Sequence, residues 1–504
     1  MMRNIRACAW LLQILIIFTH LPLPAPITNL TNNDPFPVYS PVFPNDYLTR
    51  NIRYFYIDGL DSFCQEKFQF SISPFLQAAD SGNNLEKRKT GLGNLTGRWN
   101  IPALFYPEKF GTMDERFLIQ NELFAALDAL SPASPVSTDL TTTCSAIINP
   151  VYSDIRHDFG FFDVGIKYKK YGLRFQFDFL LYDPVGLRIQ TGFANINQIP
   201  YFLDLTCSAT GLACPAGCVS PDISCCSTTV QTPGAPNPCI TNTACIDVFG
   251  CYCKQIMIDK VMKQRETIAN TLNLNIDKME SQGFEDTRLT LFFRRAYAIN
   301  ADRDDWHFFL CTPYVTLDAS LPSGKNTNPR NIFAVPLGNK GHYGLGGTAG
   351  VTFDFVKTVE IGFEFNVTKF FKKTHTCVPA PTDFTQAGLF PQTMRVSVDP
   401  GLNWNAVFSL NAYHFLSRIS AFVQFAFTGH DEDCFKILSA TTDVANISLR
   451  RLVENSKWES NMVNVGLTYD ISPNLALGFF WQAPATRRNA YRSTTLMLSI
   501  IGTF

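Results

Sequence analysis

The segment Thr494–Phe504 reads TTLMLSIIGTF. Leu496, Leu498, Ile500, Gly502 and Phe504 recur at every second position, and Thr495, Met497, Ser499, Ile501 and Thr503 take the other side. Side chains alternate across a strand, so this period of two specifies a β-strand with one greasy face. The same period returns upstream. Leu475, Leu477, Phe479 and Trp481 follow the turn ISPN, and Val463, Val465, Leu467 and Tyr469 alternate with Asn464, Gly466, Thr468 and Asp470. Ile419, Ala421, Val423, Phe425 and Phe427 alternate with Ser420, Gln424 and Thr428. Val359, Ile361, Phe363, Phe365 and Val367 alternate with Glu360, Gly362, Glu364, Asn366 and Thr368. Leu173, Phe175, Phe177 and Phe179 oppose Arg174, Gln176 and Asp178. One such strand fits a soluble sandwich; repetition in segments of about ten residues is the signature of a barrel.

Twelve strands are expected, at 66–76, 160–182, 185–195, 286–297, 305–317, 341–354, 359–371, 402–413, 418–428, 458–470, 475–484 and 490–504. Fourteen is the alternative if 77–159, which also carries a helical pattern near 113–130, hides a further pair. YKKYG at 168–172 reads as a bulge or as a turn. Short connections fall near 182–186, 300–304, 355–358, 414–417 and 471–474, and longer ones near 196–285, 318–340, 372–400, 429–457 and 485–490. Short turns at one end and long loops at the other describe an all-β, antiparallel, up-and-down transmembrane barrel, with the long loops extracellular.

Composition agrees. The chain holds 44 Phe in 504 residues but only 17% charged residues, and a barrel can place that Phe against lipid. A formal net charge of -1 leaves no basic patch for phosphates, so nucleic acid is not an expected partner. Arg3, Arg6 and the apolar run Ala7–Phe18 read as a secretory signal peptide over 1–25,. Residues 26–64 are Pro-rich and read as a periplasmic leader or plug, leaving 65–504 for the barrel. No later stretch has 18 consecutive apolar residues, so a membrane-spanning form of this chain spans with strands.

Export suits the cysteines. Cys207, Cys214, Cys218, Cys225, Cys226, Cys239, Cys245, Cys251 and Cys253 crowd one segment of the 196–285 insertion, without the paired spacing or histidine of a zinc site,. Disulfides are the expected state in an oxidising compartment. Nine is odd, so at least one of them pairs elsewhere, with Cys64, Cys144 and Cys311 as candidates, or stays free. Cys377 and Cys434 fall on neighbouring long loops and are candidates to pair with each other. An amphipathic helix is expected at 254–280, packed on its own loop or acting as a lid over the mouth.

The side chains opposite the greasy face are the candidate pore lining: Arg174, Gln176, Asp178, Arg188, Gln190, Arg288, Arg294, Glu360 and Glu364. Both signs are present, so ion selectivity is expected to be weak; a salt-bridged interior that blocks flow is the alternative. Trp306, Trp404, Trp458 and Trp481 lie near strand ends, where interfacial girdles form. GLGGTAG at 344–350 lies inside a strand pattern and reads as small lumen residues. No catalytic, cofactor-binding or metal-ligating constellation is recognisable, so no enzyme activity and no cofactor is expected.

Residues 65–504 resemble the bacterial outer-membrane β-barrel proteins of porin type. That family closes on the pattern polar–x–Gly–x–x–apolar–x–aromatic, which the barrel-assembly machinery recognises. Phe504 fits its last position, Ser499 stands where Gly is usual, and Gly502 stands where an apolar residue is usual. The cysteine load is similar to that of the disulfide-crosslinked major outer-membrane proteins of some intracellular bacteria. The resemblance implies an outer-membrane location, lipid and the assembly machinery as partners, and passive diffusion of small hydrophilic solutes. Its alternative implication is a structural or adhesive surface protein anchored by the barrel, as a homo-oligomer or disulfide-linked to other envelope proteins.

Overall fold

The computed structural model describes residues 68–95, 99–100, 161–182, 184–204, 275–299, 309–324, 331, 333, 335–355, 359–379, 393–416, 418–440, 447–472 and 474–504. Twelve of its strands form the barrel: β1 (Phe68–Ala79), β2 (Phe161–Tyr182), β3 (Val185–Asp204), β4 (Thr287–Arg294), β5 (Phe309–Leu321), β6 (Gly344–Phe355), β7 (Val359–Phe370), β8 (Asn403–Leu416), β9 (Ile419–His430), β10 (Trp458–Ser472), β11 (Leu475–Arg488) and β12 (Thr494–Thr503). Each is antiparallel to its neighbours in sequence, and β12 returns to β1 through Gln69↔Thr503 to Ala78↔Thr494. The ring therefore has no free edge, which satisfies the backbone inside a membrane. The expected twelve strands and their order are those observed.

At the join, Phe68 and Phe504 exchange backbone hydrogen bonds of 3.1 and 2.8 Å, and their rings stack with centroids 6.1 Å apart. The outward row carries Leu173, Phe293, Leu317, Phe363, Phe425, Leu477, Leu498 and Ile500, all exposed. A contiguous apolar belt of that size on a water-facing surface would drive association; around a closed barrel it is the lipid-facing band.

The binary pattern inverts above this belt. On β2 the outward Leu173 and Tyr171 give way to Lys169 and Lys167, and the inward side becomes Tyr168, Ile166 and Val164, all buried. β3 switches at the paired level, from Phe193 to Asn195 outside, with Ala194 and Ile196 buried inside. Past the bilayer the outer face meets water, so a soluble core must form inside. For this reason Tyr168–Gly172 continues a strand in unbroken register with both neighbours, and both the bulge and the turn expected there are corrected. β3 also pairs beyond 196 as far as Asp204, and Met279–Phe284 pairs back onto it. The excursion is thus shorter at both ends than 196–285, and the helix expected to reach 280 has given way to strand by Met279.

The loop end also holds structure that the alternation did not foretell. Lys373–Pro379, Thr393–Asp399 and Cys434–Ala440 make a three-stranded sheet, covered by the helix α1 (Leu449–Ser456). Met394, Val396 and Val398 from the central strand close its core against Ile447 and Leu452. A smaller sheet joins Ser81–Asn83, Lys89–Gly91 and Ala490–Tyr491.

Gly466 on β10 shows why glycine is needed inside this barrel. A Cβ there would overlap the Phe422 ring, which lies across it from β9. Gly350, within the GLGGTAG segment on β6, carries the Tyr314 ring in the same way. Residues 1–67, the helical pattern at 113–130, Trp306 and the cysteines from Cys207 to Cys253 lie outside the described residues.

Candidate lumen site

The inward face of β2–β7 is charged and internally neutralised. Arg188 on β3 stands opposite Asp178 on β2 in register. It donates from Nε to Asp178 Oδ1 at 2.7 Å and from Nη2 to Oδ2 at 3.0 Å. Gln176 Nε2 adds a bond to Asp178 Oδ2 at 2.8 Å, and Gln190 Nε2 donates to Gln176 Oε1 at 2.9 Å. Each oxygen of this carboxylate is thus held by a positioned donor, the condition under which a buried charge is tolerated.

Arg174 grips Glu285 through Nε and Nη2 at 3.1 and 3.2 Å, and Lys170 Nζ meets the same carboxylate at 2.9 Å. Glu285 escaped the sequence reading because it sits between paired segments rather than in an alternating row. Its place is prepared by Gly192, whose missing side chain leaves room for the carboxylate, and whose carbonyl accepts the Glu285 N–H at 2.8 Å. Arg288 Nη2 meets Asp318 Oδ2 at 2.9 Å, and Thr290 donates to Asp318 Oδ1 at 2.6 Å.

Tyr314 donates to Glu364 Oε2 at 2.6 Å, and the Arg294 guanidinium lies 5.8 Å from the centre of the Tyr314 ring. Glu360 Oε1 accepts from Asn411 at 2.6 Å and from Tyr413 at 3.0 Å. All nine candidate lining residues therefore face inward. Arg174, Gln176, Asp178, Arg188, Gln190, Glu360 and Glu364 are at most 8% exposed. The structure places six of them in three ionic clusters, around Asp178, Glu285 and Asp318, while Glu360, Glu364 and Arg294 meet Asn411, Tyr413 and Tyr314. Sequence alternation found their direction; their pairing partners Lys170, Glu285, Asp318 and Tyr314 needed the register.

The wall from β8 through β12 to β1 is different. Between its ends it offers amides and hydroxyls, among them Asn405, Ser409, Gln424, Asn464, Thr495 and Gln69, all buried. Among the described residues, ionisable side chains appear on its inner face only near the rims, at Asp470, Arg487 and His430. Trp458 is a correction to the expected girdle: it points inward and stacks on His430 at 5.6 Å with planes 4° apart, because β10 at that height has passed above the lipid belt. Trp481 does face outward, but from the middle of β11.

At the loop end, His342 and His375 tie the β5–β6 connection to the three-stranded sheet. Their Nε2 atoms are 2.7 Å apart, their rings stack at 4.9 Å, and His342 Nδ1 lies 2.8 Å from the Phe371 carbonyl. A bond between two imidazole nitrogens needs at least one lone pair. Burial, opposed by the Phe371 carbonyl and aided by the neighbouring His375, Lys373 and Lys340, pushes His342 down to about 3. Burial, then Lys340 and Lys373, pushes His375 down to about 4.

Cys377 and Cys434 are not brought together. They lie on the two outer strands of the three-stranded sheet, with Thr393–Asp399 between them. Two strand spacings are about 10 Å, beyond the roughly 7 Å Cα separation that a disulfide tolerates. Cys434 is an exposed free thiol. Among the described residues no group of three or more His, Cys, Asp or Glu is placed to hold a metal ion.

No protein-family model matches the chain, and no curated protein matches it. Among solved structures, an outer-membrane channel from Pseudomonas putida F1 is similar with a TM-score of 0.41 and 10% identity, over 92% of this chain and 100% of that one. The toluene transporter TbuX of Ralstonia pickettii gives 0.27 and 10% over 87% and 90%. The translocator domain of the autotransporter NalP from Neisseria meningitidis gives 0.25 and 6% over 90% and 95%. The architecture rests on the strand ring itself: a closed, twelve-stranded antiparallel barrel.

Proposed function

We propose that this protein is an outer-membrane channel for passive diffusion of small hydrophilic solutes, without catalytic chemistry or cofactor. One observation supports this reading above the others. Every barrel strand turns at least one polar side chain inward at the heights where its outer face is apolar. An anchor has no need of a hydrophilic interior, and burying one without a transport role is costly. Barrels of about eight strands are filled by side chains and those of about sixteen leave an aqueous bore, so twelve strands suit a narrow, side-chain-lined path. Purified full-length protein reconstituted in a planar bilayer should raise conductance in discrete steps. Silence from protein that shows heat-modifiable, compact migration sinks the channel reading.

The alternative is a surface protein anchored by the barrel. The packed ion pairs of β2–β7 and the folded sheet at the loop end favour it. Cys434 on an edge strand would then join neighbouring envelope proteins or a second copy of the chain. Non-reducing electrophoresis of envelopes should show high-mass species that collapse with reductant; monomer alone in both lanes counts against it. An exported chain with a cleaved signal peptide, assembled into the outer membrane through recognition of Phe504, belongs to both readings.

A further inference from the structure

The neutral wall holds hydrogen-bonding capacity that the protein leaves unused. Gln424 on β9, Asn464 on β10 and Gln482 on β11 are register partners across adjacent strands. Gln482 Nε2 donates to Asn464 Oδ1 at 2.8 Å, and Asn464 Nδ2 donates to Gln424 Oε1 at 3.4 Å. This leaves a donor, Gln424 Nε2, at one end of the ladder and an acceptor, Gln482 Oε1, at the other. Neither has a partner, and both residues are 1% exposed. The same register row continues to Ser409 on β8, to Thr495 on β12 and to Gln77 on β1. Thr495 Oγ1 is also unpartnered.

Six adjacent strands at about 4.8 Å give a row about 24 Å long, and strand tilt makes it climb the wall rather than circle it. Gln77 is already bonded to Tyr168 and Ser493, but buried polar groups in proteins almost always find partners, so the three unpartnered atoms of this row, Gln424 Nε2, Gln482 Oε1 and Thr495 Oγ1, mark a place for something that is not the protein,. On the charged wall opposite, Arg174, Arg188 and Arg288 are paired with Glu285, Asp178 and Asp318, and Glu360 and Glu364 are held by Asn411, Tyr413 and Tyr314.

Resting on the channel reading, we infer that the row Ser409–Gln424–Asn464–Gln482–Thr495–Gln77 is a selectivity track for uncharged, polyhydroxylated solutes of sugar size. A hydroxyl both donates and accepts, so a sugar can exchange one partner for the next along a series of amides and hydroxyls. A charged solute would shed its hydration shell and meet only neutral dipoles there, which is unfavourable in a confined site.

The test is osmotic swelling of liposomes carrying the full-length protein. A neutral hexose is compared with gluconate and with glucosamine, which match it in size and differ in charge. The hexose should enter faster than both. Replacing both glutamines, Gln424→Leu with Gln482→Leu, should slow hexose entry about fivefold for each hydrogen bond lost. Equal or faster entry of the charged solutes, or undiminished hexose entry in the variant, overturns the track while leaving a channel. Entry of none of them, with no ionic conductance, overturns the channel reading itself. Should the leucine variant not fold, Gln424→Glu with Gln482→Glu serves instead: an unchanged ranking of solutes overturns the track, and a shift towards glucosamine supports it.

Discussion

Replacing Asp178 by Leu and Arg188 by Met, singly and together, asks whether the charged half of the lumen is dry. The two groups meet through two hydrogen bonds of 2.7 and 3.0 Å, with Gln176 completing the carboxylate, and Asp178 is fully buried. In a dry interior each single replacement strands a charge and costs about 3–5 kcal/mol, whereas the double replacement by apolar groups of similar volume comes out near neutral. If water fills the space, the same pair behaves as a surface ion pair worth about 0–1 kcal/mol. Denaturant unfolding in micelles, followed by tryptophan fluorescence, gives the four stabilities of the cycle. Large single losses that the double variant restores confirm a dry, interlocked wall. Small single losses, below about 1 kcal/mol, refute it and place bulk-like water beside Asp178, although its side chain is closed off in the structure.

Further outcomes follow from other parts of the molecule. Phe425→Arg puts a guanidinium on the lipid face and should cost about 2–4 kcal/mol if it lies near the bilayer midplane; equilibrium folding into liposomes measures this, and no loss removes Phe425 from the lipid belt. The His342–His375 tie should weaken in acid. Both folded-state values lie below the ordinary 6.5, at about 3 and about 4, so stability is complete above pH 6.5 and falls as pH drops towards 3. Amide exchange at residues 373–379 should quicken over that window, and the double variant His342→Asn with His375→Asn should flatten the dependence. Cys434 should react with a bulky maleimide on intact cells if the loop end is extracellular; labelling of its peptide only after lysis would reverse the orientation.

Much of this fold was legible along the chain because lipid imposes the same demand on every strand. From Leu173 to Phe179 and from Leu496 to Ile500, the outward residue must be apolar and the inward one need not be, so period-two alternation and short turns gave strand number and order. The direction of Arg174, Asp178, Glu360 and Glu364 followed from the same alternation. The pattern failed where the solvent changed. At Tyr168–Gly172 and at Ala194–Ile196, water replaces lipid outside and the apolar residues turn inward, so a continuing strand looked like a bulge, a turn or a loop. The sheet built on Met394, Val396 and Val398 was missed for a related reason, since its strands are short and belong to separate connections.

Sequence alone therefore determined a membrane-spanning ring of strands and which side chains enter it, because alternation is a local property of extended backbone. Only the tertiary structure decided which of those side chains meet. Arg188 neutralises Asp178, Arg174 reaches Glu285, and the amides Gln424, Asn464 and Gln482 share a row, because strand register fixes distances between residues far apart in the chain. It also separated a charged wall from a neutral one, since the circular closure of β12 onto β1 places Gln77 beside Thr495.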